Sequence, residues 1–320
     1  MRTPEAERHP VQAIQIWWKT AIEKSRNSWL TYPLLLVMPL LFASNIIIGR
    51  AASSFLEPAT MAFFRWILAF AILLPFTWKG LRDNRKRLKQ QFPLLLLLGI
   101  LGMGICGAIV YLGLGKTQAT NAALIYATSP LFIVLIDRIF FARPITARQI
   151  LGIIIAFSGM TLILMKGSMA KLYAMQFNQG DILIGIASIS WAAYSTLQKR
   201  KSLSGIPILP LFSAIIAMGA LVLAPFALWE IINGAGIPAS PQAWASIFGV
   251  ALLPSVLAFS IYKFGIKTIG PSQTGVFLYF MPVYAALLAV LFLGEQLQAY
   301  HIIGLFLVLP GVMMAAYKTS

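Results

Sequence analysis

Apolar runs long enough to cross roughly 30 Å of hydrocarbon recur down this chain, each closed by a short polar or basic break. Ten can be placed, at about 29–49, 58–78, 92–114, 118–140, 147–165, 181–198, 207–229, 243–263, 271–293 and 299–317. They predict an all-α membrane protein with ten transmembrane helices. Residues 1–28 form a polar arm in front of them, with Val11, Ile14, Trp17, Trp18 and Ala21 near one helical face. The arm reads either as an amphipathic helix lying on the membrane surface or as a loosely ordered tail.

The pattern is written twice. A shift of 152 positions lays 117–159 on 269–311, so that Pro130 falls on Pro282, Phe140 on Phe292, Gly152 on Gly304 and Gly159 on Gly311. At shifts of 150 and 151, Pro75-Phe76 match Pro225-Phe226, Gly99 matches Gly249, and Tyr111–Lys116 match Tyr262–Lys267. This is an internal duplication. Five spans precede residue 180 and five follow. Because five is odd, the second copy must enter the membrane upside down. The expected units are therefore two inverted five-helix repeats, 29–165 and 181–317, the architecture of an alternating-access carrier.

Composition supports the membrane reading and disposes of its rival. Of 320 residues 59% are hydrophobic and 11% charged, against about a quarter charged in soluble domains. The net charge of +16 would suit nucleic acid, but the basic residues crowd the loops between spans. With the N-terminus in the cytoplasm, twenty Lys and Arg fall on the cytoplasmic side and four (Arg50, Lys116, Lys166, Lys171) on the other. That bias predicts a multi-pass protein of the inner (cytoplasmic) membrane with both termini inside, its partners the lipid bilayer and a small-molecule substrate rather than nucleic acid. No cleavable signal peptide is expected, because the first long run, starting near Trp29, leads into Gly49-Arg50. Cys106 stands alone, and His9 and His301 lack ligand partners at any recognisable spacing, so no disulfide, metal or cofactor is expected.

No enzymatic motif is present: no H-E-x-x-H, G-x-S-x-G or P-loop. The nine acids all lie in tails, loops or span ends, which leaves the midplane without the carboxylate that many proton- or sodium-coupled carriers bury. Asp181 reads as the cap of the sixth span. Arg65 is the one charge well inside a span, at a cost of roughly 2.5–3.5 kcal/mol on insertion scales. It reads either as an anchor for a substrate carboxylate or phosphate, or as a side chain snorkelling outward to Glu57 or to backbone carbonyls. Pro130 and Pro282, related by the repeat, predict kinks in the fourth and ninth spans beside a polar space, since each frees a carbonyl that lipid cannot satisfy.

Polar and aromatic residues gather around those kinks at helical spacing. Tyr126 and Ser129 share a face of the fourth span, and Trp191, Tyr194 and Ser195 form an i, i+3, i+4 set on the sixth. With Asn45, Arg65, Tyr111 and Tyr279 they are the candidate substrate-binding residues, lining an aromatic cavity for a zwitterionic or moderately apolar metabolite. The alternative for each aromatic is the interfacial belt, which claims Trp29, Trp78 and Tyr317. Lys263, near the inner end of the eighth span, reads either as attracting anions to the cytoplasmic mouth or as a positive-inside anchor like Lys267.

Five motifs carry a resemblance: Phe42-Ala43-Ser44-Asn45 through Gly49-Arg50, Phe64-Arg65-Trp66-Ile67-Leu68-Ala69, Asn121-Ala122-Ala123-Leu124 with Ser129-Pro130, Trp191-Ala192-Ala193-Tyr194, and Leu293-Gly294-Glu295 followed by Gly304. Over residues 30–317 the chain resembles the EamA-type branch of the drug/metabolite transporter superfamily. The resemblance implies a ten-helix carrier of small metabolites, amino acids or related compounds among them. It also implies that spans one to four and six to nine surround the site while five and ten brace it. The family's usual glutamate after the fourth span is Arg143 here, whereas Glu295 is retained. Two other classes remain open at this point: a flippase for lipids or lipid-linked sugars, and a membrane scaffold without transport.

Overall fold

The computed structural model describes residues 30–117, 122, 125–126, 128–142, 145–165, 167–168, 170, 178–281, 283–284 and 298–316. The N-terminal arm, Pro282, Arg143, Glu295, Lys166 and Lys171 lie outside the described residues. Within them the secondary structure is helical, with no strand. The principal helices are α1 (Thr31–Ala52), α2 (Pro58–Asp83), α3 (Phe92–Leu114), α4 (Ser129–Phe141) and α5 (Ala147–Leu164). They are followed by α6 (Gln179–Leu197), α7 (Ile208–Glu230), α8 (Pro241–Thr268), α9 (Pro271–Val276, continued by a 3₁₀ turn over Phe277–Phe280) and α10 (Ala299–Ala316).

Five of these segments are long and apolar enough to cross a membrane, and two shorter apolar helices accompany them. Large apolar side chains face outward on several helices, including Phe140 at 74%, Phe306 at 72% and Met313 at 69% exposure. A surface of that kind has to face lipid. Trp78, 62% exposed, sits where an interfacial ring belongs.

Local chemistry sets the helix ends. α2 runs to Asp83, past the expected limit near 78, because Lys79 and Arg82 suit the negative end of the helix dipole and carry the helix beyond the apolar layer. α5 and α6 both start in capping boxes. Thr146 Oγ1 accepts from the Gln149 N–H at 3.2 Å, and Asn178 Oδ1 accepts from the Asp181 N–H at 3.2 Å while Asp181 Oδ2 accepts from the Asn178 N–H at 2.9 Å. Asp181 is thus the capping residue its position suggested.

Two helix pairs run antiparallel with reciprocal contacts. In α2 and α7, Gly80 packs its Cα against the Pro210 ring, while at the other end Glu230 accepts from the Ala59 and Thr60 N–H groups at 2.9 and 2.6 Å. In α5 and α10 the contacts are glycine to backbone. A Cβ on Gly152 would lie 2.7 Å from the Gly311 carbonyl oxygen, and one on Gly159 2.7 Å from that of Gly304. Only glycines allow backbones so near.

These contacts define two ends of the bundle. Gly80, Pro210, Lys199 and Lys267 share one, where Lys199 Nζ donates to the Lys267 carbonyl at 3.0 Å; it carries the basic 79–91 loop and is called here the basic face. Glu230, Thr60, Thr117 and Asp181 belong to the opposite face. α3 and α8 share a further peculiarity. Each opens into a wide π-helical stretch, Ile100–Ile109 in one and Ala251–Ala258 in the other. The two stretches begin 151 residues apart, the same shift that relates Tyr111 to Tyr262.

Candidate functional site

Pro254 starts the construction of the site. Lacking an N–H, it cannot satisfy the Val250 carbonyl four residues earlier, and the Ser255 hydroxyl donates to that oxygen instead, at 2.6 Å. The Ser255 oxygen is then free to accept, and Arg65 Nε of α2 donates to it at 2.5 Å. Arg65 Nη1 donates to Asn45 Oδ1 of α1 at 3.0 Å and to the Tyr111 hydroxyl of α3 at 2.8 Å. Tyr111 completes the ring by donating to Asn45 Oδ1 at 2.8 Å. Four helices thus converge on one guanidinium.

Arg65 is 2% exposed, and its guanidinium carbon lies 4.5 Å from the centre of the Trp66 ring. It does not reach out to Glu57, which is exposed. Its described partners are an amide, a phenol, a hydroxyl and an aromatic face, all neutral. A buried charge costs several kcal/mol even after relaxation, and these dipoles offset that cost without cancelling the charge.

Trp66 leads into an aromatic cluster. Its ring meets Phe259 at 5.2 Å, and Phe259 meets Trp191 at 5.3 Å, Phe212 at 5.6 Å and Phe42 at 5.3 Å. Trp191 lies 4.8 Å from Tyr262 and 5.6 Å from Tyr194. Three of these six pairs are edge to face, an arrangement that ring quadrupoles favour. Gly102 gives Tyr194 its place: a Cβ there would stand 2.5 Å from Tyr194 Cε2. Ser195 donates to the Trp191 carbonyl at 2.7 Å, which commits its proton, so Tyr262 is the donor in the 2.7 Å contact between their hydroxyls.

The cluster is rich in unfilled donors. The Trp66 and Trp191 indole N–H groups and the Tyr194 hydroxyl are buried with no hydrogen-bond partner among the described residues. Buried polar groups are normally paired, so three together mark a surface built to meet something polar.

The nine candidate residues divide between this centre and its margins. Asn45, Arg65 and Tyr111 form one hydrogen-bonded group; Trp191, Tyr194 and Ser195 belong to the aromatic cluster; Tyr126 touches it, 6.5 Å from Trp191. Ser129 is 1% exposed, its hydroxyl without a partner among the described residues. Tyr279 turns the other way, toward Phe157 of α5 at 6.3 Å. Pro130 sits in the first turn of α4 after a turn at Thr128, where its missing N–H costs nothing.

Three participants escaped the sequence reading, and a fourth was left open between two roles. Ser255 was signalled only by Pro254 beside it, and Tyr262 only by its repeat partner Tyr111. Phe259 carried no signal. Lys263 is not a surface anchor: it is 4% exposed, donating to Gln198 Oε1 at 2.6 Å and facing the rings of Phe212 and Tyr194 at 4.8 and 5.3 Å.

The acids at the span ends are also more enclosed than expected. Asp137 accepts from Ser272 at 2.5 Å, and Asp181 from Thr117 at 2.5 Å, with exposures of 2% and 3%. On the opposite face a pocket of about 220 Å³, lined by Glu57, Met61, Lys116 and others, reaches down to Tyr111.

Comparison with known proteins places this architecture. The sequence model of the EamA-like transporter family matches residues 29–165 and 178–317. "Uncharacterized transporter YyaM" of Bacillus subtilis (strain 168) is 28% identical over 89% of this chain and 93% of its own length. A protein of Streptantibioticus cattleyicolor named "Probable terminal-alkyne amino-acid exporter" is 26% identical over 75% of this chain and 77% of its own. A crystal structure 18% identical in sequence superposes with a TM-score of 0.70, covering 88% of this chain and 95% of that one, which shows a shared fold. With apolar helices facing outward, a buried polar centre and a family match across both halves, the chain belongs to the EamA-like transporter family.

Proposed function

We propose that this protein is a carrier that moves small carboxylate-bearing metabolites across the cytoplasmic membrane by alternating access. The observation that carries the reading is the Arg65 centre: a guanidinium withdrawn from water, held by neutral groups from four helices and set against an aromatic cluster with open donors. A structural arginine would be expected to find a carboxylate or the membrane surface; this one is kept available. The relative named as an amino-acid exporter supports cargo of that size and chemistry.

The mechanism assigned is a rocking of spans one to four and six to nine around the central site within two inverted five-helix repeats, 29–165 and 181–317, with five and ten as braces. Its support is the reciprocity of the contacts: under the repeat, Gly80 against Pro210 corresponds to Glu230 against Thr60, and Gly152 against Gly311 to Gly304 against Gly159. The basic face is taken as cytoplasmic.

The test compares the metabolites in the medium of cells that overproduce the protein with those of cells that lack it. The compound identified is then followed into inverted membrane vesicles. Arg65→Ala and Trp191→Ala should each lower its uptake at least tenfold. Unchanged uptake in both variants would remove the proposed site.

A further inference from the structure

We infer that the cargo site has a second cationic anchor, Lys263, and that the pair selects organic monoanions with an apolar or aromatic body over zwitterionic amino acids. The inference rests on the carrier reading and narrows its substrate class.

Lys263 stands on α8 eight residues beyond Ser255, so it lies about 12 Å further along the helix than the contact that holds Arg65. The aromatic cluster bridges the interval. Arg65 stacks on Trp66, Trp66 meets Phe259, Phe259 meets Phe212, and Lys263 caps Phe212. One cation therefore sits toward the opposite face and one toward the basic face, with rings between them.

The donors around Lys263 are left open. An ammonium has three N–H groups, and the one described hydrogen bond goes to Gln198 Oε1. The Gln198 amide is fixed for that task, its Nε2 donating to the Tyr194 carbonyl at 3.1 Å. Beside Lys263 lie Tyr194, fully buried with an unpartnered hydroxyl, and next to Tyr194 the unpartnered Trp191 indole N–H. These groups present N–H and O–H bonds and no carboxylate, and no described acid pairs with either cation.

That donor set complements an anion. A carboxylate would bring the negative charge that the described neighbours lack and accept from the ammonium and the phenol together. An amino acid would bring an ammonium as well, and no described acid lies beside Lys263 to receive it, since Asp137, the buried carboxylate whose charge reaches Tyr262, is already engaged by Ser272; stripping that ammonium of water without a partner is costly. The repeat shows that this chemistry belongs to the second half only. Shifted by 151, Lys263 falls on Leu112, which is 41% exposed.

The experiment uses the purified full-length chain in lipid nanodiscs and three radiolabelled probes sharing one skeleton: 3-phenylpropionate, L-phenylalanine and 2-phenylethylamine. At neutral pH 3-phenylpropionate should bind at least about tenfold more tightly than L-phenylalanine, and the amine should not bind measurably. Lys263→Gln should erase the preference, and Lys263→Arg should keep it. Tyr194→Phe, which leaves the ring in place, should weaken the carboxylate alone. The inference is overturned if L-phenylalanine binds as well as 3-phenylpropionate, if no carboxylate binding is seen, or if Lys263→Gln and Tyr194→Phe leave the preference intact. None of these results touches the carrier reading, which the medium comparison decides separately.

Discussion

Arg65 Nε donates to a serine whose own proton is already given away: Ser255 sends its hydrogen to the Val250 carbonyl and accepts from the guanidinium. Ser255→Ala would leave Arg65 Nε without its described partner and take from the Val250 carbonyl the hydroxyl that stands in for the missing proline N–H. The loss should be about 1–3 kcal/mol of stability, read as a lower unfolding midpoint in detergent. Adding Pro254→Ala returns an N–H to the Val250 carbonyl, so the double variant should recover part of the loss. A double variant no better than Ser255→Ala would refute the assigned role of the proline.

Tyr111 on α3 and Tyr262 on α8 stand 151 residues apart in the sequence and have unequal duties. Tyr111 both accepts from Arg65 and donates to Asn45, whereas Tyr262 donates to a serine already satisfied through the Trp191 carbonyl. Tyr111→Phe should therefore cost about 1–3 kcal/mol, and Tyr262→Phe about 0.5–1.5 kcal/mol. Parallel melts of the two variants check the order, and equal effects would refute it.

Glu230, at the end of α7, serves as the N-terminal cap of α2. Its carboxylate accepts from two backbone N–H groups and from the Thr60 hydroxyl at 2.8 Å. Glu230→Ala should lower stability by about 0.5–2 kcal/mol, the usual loss on removing a cap. Hydrogen exchange at Ala59 and Thr60 should rise ahead of the rest of α2.

Gly159 has no room for a side chain. A Cβ there would stand 2.6 Å from that of Leu307. Gly159→Ala should cost about 1–3 kcal/mol by overpacking, and Gly159→Leu should sharply reduce the amount of folded protein in the membrane. Wild-type yields from Gly159→Leu would show that α5 and α10 are not held at this distance.

Orientation can be read by labelling. Ser204 and Ala239 are exposed at the basic and opposite faces, and the one native thiol, Cys106, is buried. In intact cells a membrane-impermeant maleimide should label Ala239→Cys and spare Ser204→Cys. Both should react after lysis, and the reverse pattern in intact cells would invert the assignment.

Much of this was legible along the chain because it is periodic or costly. Runs of apolar residues marked the spans, and the repeated glycines marked the α5–α10 contact. The in-span charge of Arg65 and the in-span amide of Asn45 announced themselves by their price in lipid. What stayed hidden depends on how helices distant in sequence are rotated against one another. Periodicity gives a residue's face on its own helix but not the neighbour that face meets, so Ser255 could not be joined to Arg65, nor Tyr279 turned toward Phe157. Lys263 misled for a related reason: near a helix end, a lysine that snorkels out and one that turns in read alike, and here Gln198 and two rings draw it inward. Asp137 and Asp181 show the same thing, since an end of a span need not be wet when other helices close over it.

Gly152 and Gly159 rest against the carbonyls of Gly311 and Gly304 with no side-chain layer between, and this makes α5 and α10 a single beam. Sliding one along the other by a residue's rise, about 1.5 Å, would drive methylene groups into main-chain atoms, and no rotamer change could relieve the collision. Such a beam can be carried or leaned upon, but not sheared. On the carrier reading proposed above, whatever shifting lets a cargo pass between Arg65 and Lys263 is left to the helices around them, with this unyielding strut as the thing they push against.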